Sequence, residues 1–498
     1  MVERIFWMRR PLAVVGGALL ALALFSTVGA REEADPVEEL AGAIDTAWLM
    51  IAAFLVFFMQ AGFAMVEAGF VRAKNTTNIL MKNILDASIG AIAFWAVGWG
   101  IAYGVSGESA PGLIGDGQFF LRGFDDYASW IFQFAFAATA ATIVSGAMAE
   151  RTKFTAYLVY TVFITAFIYP VVVHWAWDAN GWMSTFNADP GLPGNGYMDF
   201  AGSGVVHAVG GIAGLMGAVI VGPRLGKFGK DGSINAIPGH NMSIAVLGMF
   251  ILWFGWYGFN PGSTLGLSGG FAEIAARVAV MTTLAAGAGA VTTALASKAL
   301  TGNYDMGFVV NGALGGLVAI TAPCATVEPW AAIVIGCVGG LVVMGGIRVL
   351  ESLRIDDPVG AVSVHGFAGI WGVLSLGLFS NQELMANAYG FESNYGLLLG
   401  GGVEQLAAQA IGVAAIVAWT AVTAGTVFLA IRYTIGLRVP EAEEIEGLDV
   451  GEHGMPAYPD FSPATGSGGA FGGIMTPMPT PASAPPRALP ESGPAGAS

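Results

Sequence analysis

The chain is short of charge. Asp, Glu, Lys and Arg make up only 11% of its 498 residues, against roughly 25% in ordinary soluble domains. A soluble globular protein is excluded on that ground. Cysteine is scarcer still. Cys324 and Cys337 are the only two, and they lie in or near apolar segments with no metal-ligand spacing, which reads as buried small hydrophobes. Positive charge is also scarce, with 20 Lys and Arg against 35 Asp and Glu and a formal net charge of −15. That balance argues against nucleic acid as a partner, and much of the acid sits near the two ends, in 32–39 and 441–452. What is present is apolar: 55% of residues are hydrophobic and 73 are glycine. Uncharged stretches of about 20 residues recur, as spanning helices in a lipid bilayer require, and abundant glycine suits close helix packing there.

The first thirty residues have the form of a cleavable signal. Arg9 and Arg10 precede an apolar run over 12–25, and Val28-Gly29-Ala30 offers a small-residue cleavage site. The alternative is an additional first span; the run is short and an acidic segment follows it. Beyond this segment eleven spans are expected, over 46–70, 83–105, 128–148, 154–177, 204–221, 242–259, 273–297, 306–322, 330–349, 362–379 and 404–433. Basic residues test this count, because connections rich in Lys and Arg remain cytoplasmic. Arg72, Lys74 and Lys82; Arg151 and Lys153; Arg224, Lys227 and Lys230; Lys298; Arg348 and Arg354; and Arg432 and Arg438 all fall in alternate connections. Arg122 is the one clear exception. Eleven spans then put the N-terminus outside and the C-terminus in the cytoplasm.

One pattern occurs twice. Asp199 is followed eight residues later by His207, and Asp357 eight residues later by His365, each His opening a small-residue helix. The two fall early in the fifth and tenth spans, which enter the bilayer from opposite sides. Five spans followed by five of opposite orientation form an inverted repeat, and such repeats place a shared site near the bilayer midplane. Ionisable residues inside a bilayer are costly and usually functional. A lone helical His is most simply a satisfied packing residue, but two at matched positions of inverted halves suggest a pair. Burial favours neutral rings, and neutral rings can share a proton through an N–H···N bond. Such a pair can bind a small neutral amine or relay a proton; it could also hold a metal, but no third ligand accompanies it.

The aspartates admit a structural account. Asp357 precedes Pro358, the arrangement of a helix N-cap. Asp199, near the outer mouth, can also stabilise a nearby cation. Phe132, Phe136, Trp175, Trp177, Trp253, Trp256 and Phe259 all fall in spans that border outward connections. They read either as an interfacial aromatic belt or as faces that hold a cation in place of lost hydration, with Ser263 as an added acceptor.

The stretches Phe132-Gln133 through Ala149-Glu150-Arg151, Asp199 to His207, Gly255-Trp256-Tyr257-Gly258-Phe259-Asn260-Pro261-Gly262-Ser263, and Asp357-Pro358 to His365-Gly366 resemble the ammonium transporters, the Amt/MEP/Rh superfamily, and its bacterial Amt branch in particular. The resemblance covers 46–458. It implies an all-α membrane protein of eleven transmembrane helices, an inverted 5+5 repeat plus a final long helix, assembled as a homotrimer with one pore per subunit. It also implies roles. Phe136, Trp177 and Ser263, supported by Asp199, would recruit ammonium or its analogue methylammonium. Phe136 and Phe259 would form a stacked gate. His207 and His365, with Trp256 and Ile143, would line an apolar pore. Neither an enzymatic activity nor a cofactor or metal is implied.

The tail matches as well. Glu446-Gly447-Leu448-Asp449, Glu452-His453-Gly454 and Tyr458 resemble a cytoplasmic regulatory tail that docks on neighbouring subunits and meets PII-type signal proteins. Gly447, Asp449, His453 and Tyr458 are its marked residues. The expected organisation is therefore a signal over 1–30, a transmembrane domain over 31–436, a regulatory tail over 437–458 and a disordered Pro-, Ala- and Gly-rich extension over 459–498, in the inner (plasma) membrane. Two other readings share the resemblance: an ammonium sensor signalling through its tail, and an electroneutral channel of Rh type.

Overall fold

The computed structural model describes residues 35–106 and 112–461. The expected signal segment 1–30 lies outside them, as does the extension from 459 onward except its first three residues. Among the described residues regular structure is helical, with no strand beyond isolated bridges. Ten helices among the described residues are long and apolar enough to cross a bilayer: α1 Pro36–Phe70, α2 Ala73–Tyr103, α3 Tyr127–Ala147, α4 Phe154–Trp177, α5 Ser203–Val221, α6 Met242–Thr264, α7 Phe271–Thr301, α9 Pro329–Ser352, α10 Val362–Phe379 and α11 Glu404–Thr434. The shorter apolar helix α8, Met306–Ile320, completes the expected eleven. From Val310 to Ile320 every residue of α8 is buried.

Two helices begin about ten residues before their expected starts, each for a local reason. Asp35 caps α1 by accepting from the Val37 N–H at 3.0 Å, and Pro36 occupies the first turn, where a missing N–H costs nothing. The first half of α2 carries Asn75, Asn78, Lys82, Asn83 and Asp86 at or inside its start, all buried. A hydropathy window rejects such a stretch, but the protein supplies partners that lipid would not. Lys82 therefore belongs to a helix interior and not to the basic connection in which the charge pattern put it.

The halves α1–α5 and α6–α10 meet through corresponding helices. α1 lies along α6, and α5 crosses α10. The α5/α10 crossing is very close: a Cβ on Gly211 would stand 2.1 Å from the backbone nitrogen of Gly366. Only glycine fits a contact of backbone on backbone. Both helices also begin with one wide turn, Ser203–Ala208 in α5 and Val362–Phe367 in α10, a departure frequent at functional sites. His207 and His365 sit in those wide turns, just before the crossing.

One face of the bundle collects the basic connections and the tail. Glu150, fully buried, accepts from the Arg72 backbone N–H at 2.6 Å and lies 3.3 Å from the Arg224 guanidinium. Arg224 also grips Asp356 with two bonds, at 2.8 and 2.9 Å. Arg151 donates to the carbonyls of Ala149, Gly222 and Asp356. Burial pushes the Glu150 carboxyl up, but Arg224 and Arg72 outweigh it and hold it below the usual range. Asp356 is likewise opposed by burial and held down to about 2 by Arg224 and Arg151.

Candidate functional site

Asp199 organises the opposite face. Its Oδ1 accepts from the N–H groups of Gly202 and Ser203 at 2.9 and 2.8 Å, and its Oδ2 from those of Gly204 and Val205 at 2.7 and 2.9 Å. One carboxylate thus caps the donors that open α5. Burial pushes its pKa up to about 6 against the pull of those four donors. Its own carbonyl accepts from the Trp177 indole N–H at 2.8 Å, which fixes that ring. Asp357 does the same for α10, accepting from Gly360, Ala361 and Val362 at 3.2, 3.0 and 2.8 Å. The expected N-cap is therefore present, and it belongs to both halves.

Asp199, Trp177, Phe136 and Ser263 all line one cavity of about 420 Å³, together with Phe132 and Tyr389. Ser263 donates its hydroxyl proton to the Phe259 carbonyl at 2.8 Å, leaving the oxygen lone pairs for a guest. Of the seven aromatics singled out from sequence, Phe132, Phe136 and Trp177 are on this wall, and Trp175, Trp253, Trp256 and Phe259 are not. Trp175 donates to the Leu113 carbonyl and packs on Trp182 and Trp419, and Trp253 stacks on Phe250.

Phe136, on the cavity wall, is one of a pair of rings. Phe136 and Phe259 stack with centroids 4.0 Å apart and planes 21° from parallel. Next comes His207, 5.3 Å from Phe259 and 5.0 Å from Trp256, near-parallel to both. The Trp256 indole is held by a 2.9 Å bond to Thr321 Oγ1. The Nδ1 atoms of His207 and His365 are 3.1 Å apart. One must donate and the other accept, so the two rings cannot both be cationic. His207 is not a packing residue satisfied by its surroundings, for its Nε2 is buried with no hydrogen-bond partner. Ile143 touches the α5 backbone, where a Cβ on Gly210 would lie 2.8 Å from its own. It lines a second cavity, of about 20 Å³, with Phe63, Glu67, Asn311 and His365. Phe63 and Thr321 were not singled out from sequence, since nothing in their spacing marks them.

The tail is seated on the other face. Asp449 accepts from the Asn78 backbone N–H at 2.9 Å. His453 Nε2 lies 3.0 Å from Asn78 Nδ2, with its ring 4.8 Å from that of Phe154. Tyr458 Oη is 2.8 Å from His240 Nε2. Gly447 has φ 114°, and a Cβ there would strike the Lys74 carbonyl oxygen at 2.6 Å. Burial raises the Asp449 carboxyl and lowers His453. The four marked tail residues thus contact the starts of α2, α4 and α6 within one chain.

An eleven-helix bundle among the described residues, with two crossing helices that open on wide turns, a vestibule and a buried imidazole pair, defines a polytopic membrane transport protein. Comparison with known proteins makes this specific. The sequence profile of the Ammonium Transporter Family matches residues 47–458. Ammonium transporter Amt2 of Archaeoglobus fulgidus is 46% identical over 455 residues, covering 89% of this chain and 94% of that one. Ammonium transporter 1 member 1 of Arabidopsis thaliana is 45% identical over 412 residues, 80% and 82% of the two chains. Among solved structures, a sensor Amt protein aligns with a TM-score of 0.74 at 36% identity, covering 84% of this chain and all of that one. Candida albicans Mep2 aligns with a TM-score of 0.72 at 27% identity, covering 84% and 91%. The chain belongs to the ammonium transporter family, a family of transporters and not of enzymes.

Proposed function

We propose that the 420 Å³ cavity recruits ammonium, that the cation loses its proton at or below the Phe136–Phe259 pair, and that ammonia crosses beside His207 and His365. The observation that carries this reading is the order of groups: an aromatic vestibule that carries a few polar groups, stacked rings, then a hydrogen-bonded pair of imidazoles that cannot both be charged. In the vestibule the faces of Phe136 and Trp177, the Ser263 oxygen and the Asp199 carboxyl replace part of the lost hydration shell. Below it, a cation faces a desolvation cost of several kcal/mol or more. Ammonium escapes that cost by giving up a proton, which potassium, similar in size and charge, cannot do. The proton travels separately through Asp199 and the histidines, so net charge moves.

In this reading the tail-bearing face is cytoplasmic, the protein resides in the inner (plasma) membrane, and three copies form the working assembly. The seated tail then offers a PII-type signal protein a place to bind. An ammonium pulse on vesicles adsorbed to a supported membrane tests the reading. A transient current is expected; its absence would leave the electroneutral channel or the sensor. The sensor reading draws on the likeness to a solved sensor Amt protein and on the tail's many bonds to the helix starts.

A further inference from the structure

The proposed route accounts for a proton as far as His365 and leaves it there. The small cavity on the tail side of that ring holds a feature that the reading has not used. Glu67, in α1, is 2% exposed, and its Oε2 is buried with no hydrogen-bond partner. A buried carboxyl oxygen left without a partner is costly in any purely structural role. It lines the cavity shared with His365 and Asn311. Asn311 spends its Nδ2 on the Val359 carbonyl at 3.2 Å, which leaves its amide oxygen free to accept. The cavity measures about 20 Å³, and a single buried water needs roughly 10–15 Å³ and two to four polar partners. One water there would reach an imidazole, a carboxyl and an amide.

The polar groups continue past Glu67. Ser145 and Asn83 stand beside its carboxyl, and Lys82 acts on it electrostatically. Lys82 is 1% exposed in α2, with Nζ 5.6 Å from the Tyr157 ring centre. Its next acidic neighbour is Glu452, a tail residue that accepts from the Phe154 backbone N–H at 3.2 Å. From His365 to the tail-bearing face the ionisable groups therefore form a file inside otherwise apolar helices, where such groups are expensive unless used.

We infer that Glu67 takes up the proton that leaves His365 and passes it toward the tail-bearing face, apart from the ammonia. The step balances without a co-reactant. The imidazolium N–H bond breaks as the cavity water accepts that proton. The water gives up another, and an O–H bond forms on Glu67. The inference rests on the charge-moving reading above.

Three variants and the wild type, reconstituted at matched folded protein and challenged with ammonium pulses, test it. Glu67→Gln keeps shape and hydrogen bonding but cannot exchange a proton; Glu67→Asp keeps the acid on a shorter arm. A relay predicts at least a tenfold loss of peak current for Glu67→Gln, no more than about a threefold loss for Glu67→Asp, and half-saturation by ammonium unchanged within twofold in both. A structural role predicts the reverse order, with Gln the better substitute, and that result overturns the inference. Should Glu67→Gln not fold, Asn311→Leu removes one of the water's partners and leaves the carboxyl in place. It is expected to lose current at least fivefold, and an unaltered current in it overturns the inference. A wild type without current overturns this step together with the reading beneath it; a wild type with current that Glu67→Gln retains overturns this step alone.

Discussion

Asp199 does two things that oppose each other electrostatically. Its four backbone donors favour the charged carboxylate, while burial disfavours it, and burial wins by enough to raise the pKa to about 6. The sign for stability follows. The folded protein binds this proton more tightly than the unfolded chain, so the contribution is complete below about 3.8 and is lost as pH rises through about 6. Asp357, pushed up to about 6 by burial in the same way, adds a contribution of the same sign over the same window. For the proposed recruitment the sign is reversed, because only the ionised form attracts a cation. Apparent ammonium affinity is therefore expected to fall roughly tenfold between pH 7 and pH 5, read from half-saturation of the ammonium response. Asp199→Ala should abolish methylammonium uptake, through loss of the cap, the charge or both; full uptake would remove its role.

Sequence made some of these residues visible and hid others. The spacing of Asp199 to His207 and Asp357 to His365 is a repeat, and repeats are legible without coordinates. Phe136 and Phe259 are 123 positions apart and no periodicity links them, so their stacking was open only to resemblance. Lys82 and Arg151 looked like charges of loops. The structure buries both, because Lys82 faces Tyr157 of α4 and Arg151 reaches the distant connections at Gly222 and Asp356, which local sequence cannot name. Glu67 went unremarked for the same reason, although an acid within an apolar span is itself a signal.

The helices carry two features whose removal has a defined cost. At the α5/α10 crossing, a Cβ on Gly211 meets backbone and not a flexible side chain, so the helices must part. Overpacking of this kind costs about 1–3 kcal/mol or more, and it acts on the turns that hold the two histidines. Gly211→Ala is expected to lower the thermal midpoint in detergent and cut transport at least tenfold at matched protein. At the tail-bearing face, Arg224→Ala would leave Asp356 and Glu150 buried with less compensation. Breaking a buried pair this way costs about 3–5 kcal/mol, again read as thermal stability. Because Asp356 is held down to about 2, the stability this pair adds is present above about 3.8 and is lost only as pH falls through about 2. The existence and order of the helices were legible in the hydropathy and in the alternation of basic connections. The starts of α1 and α2 were not, because a cap and an internally satisfied polar face extend a helix beyond what hydropathy marks.

Taken whole, the molecule is a bundle whose two halves each contribute a capping aspartate and an imidazole, with a vestibule at one face and a seated tail at the other. The ammonium transporter family accounts for that plan. In the proposed reading a cation is refused because the stretch from Phe259 past His207 to His365 is lined by rings, with no fixed charge to replace hydration. Putting a carboxylate there should remove the refusal. The deciding measurement is the current evoked by a potassium pulse on supported membranes carrying wild type, His207→Asp and His365→Glu side by side. The account predicts no potassium current from wild type and a clear one from the acidic variants. A wild type that conducts potassium, or acidic variants that exclude it as fully as wild type does, would contradict it.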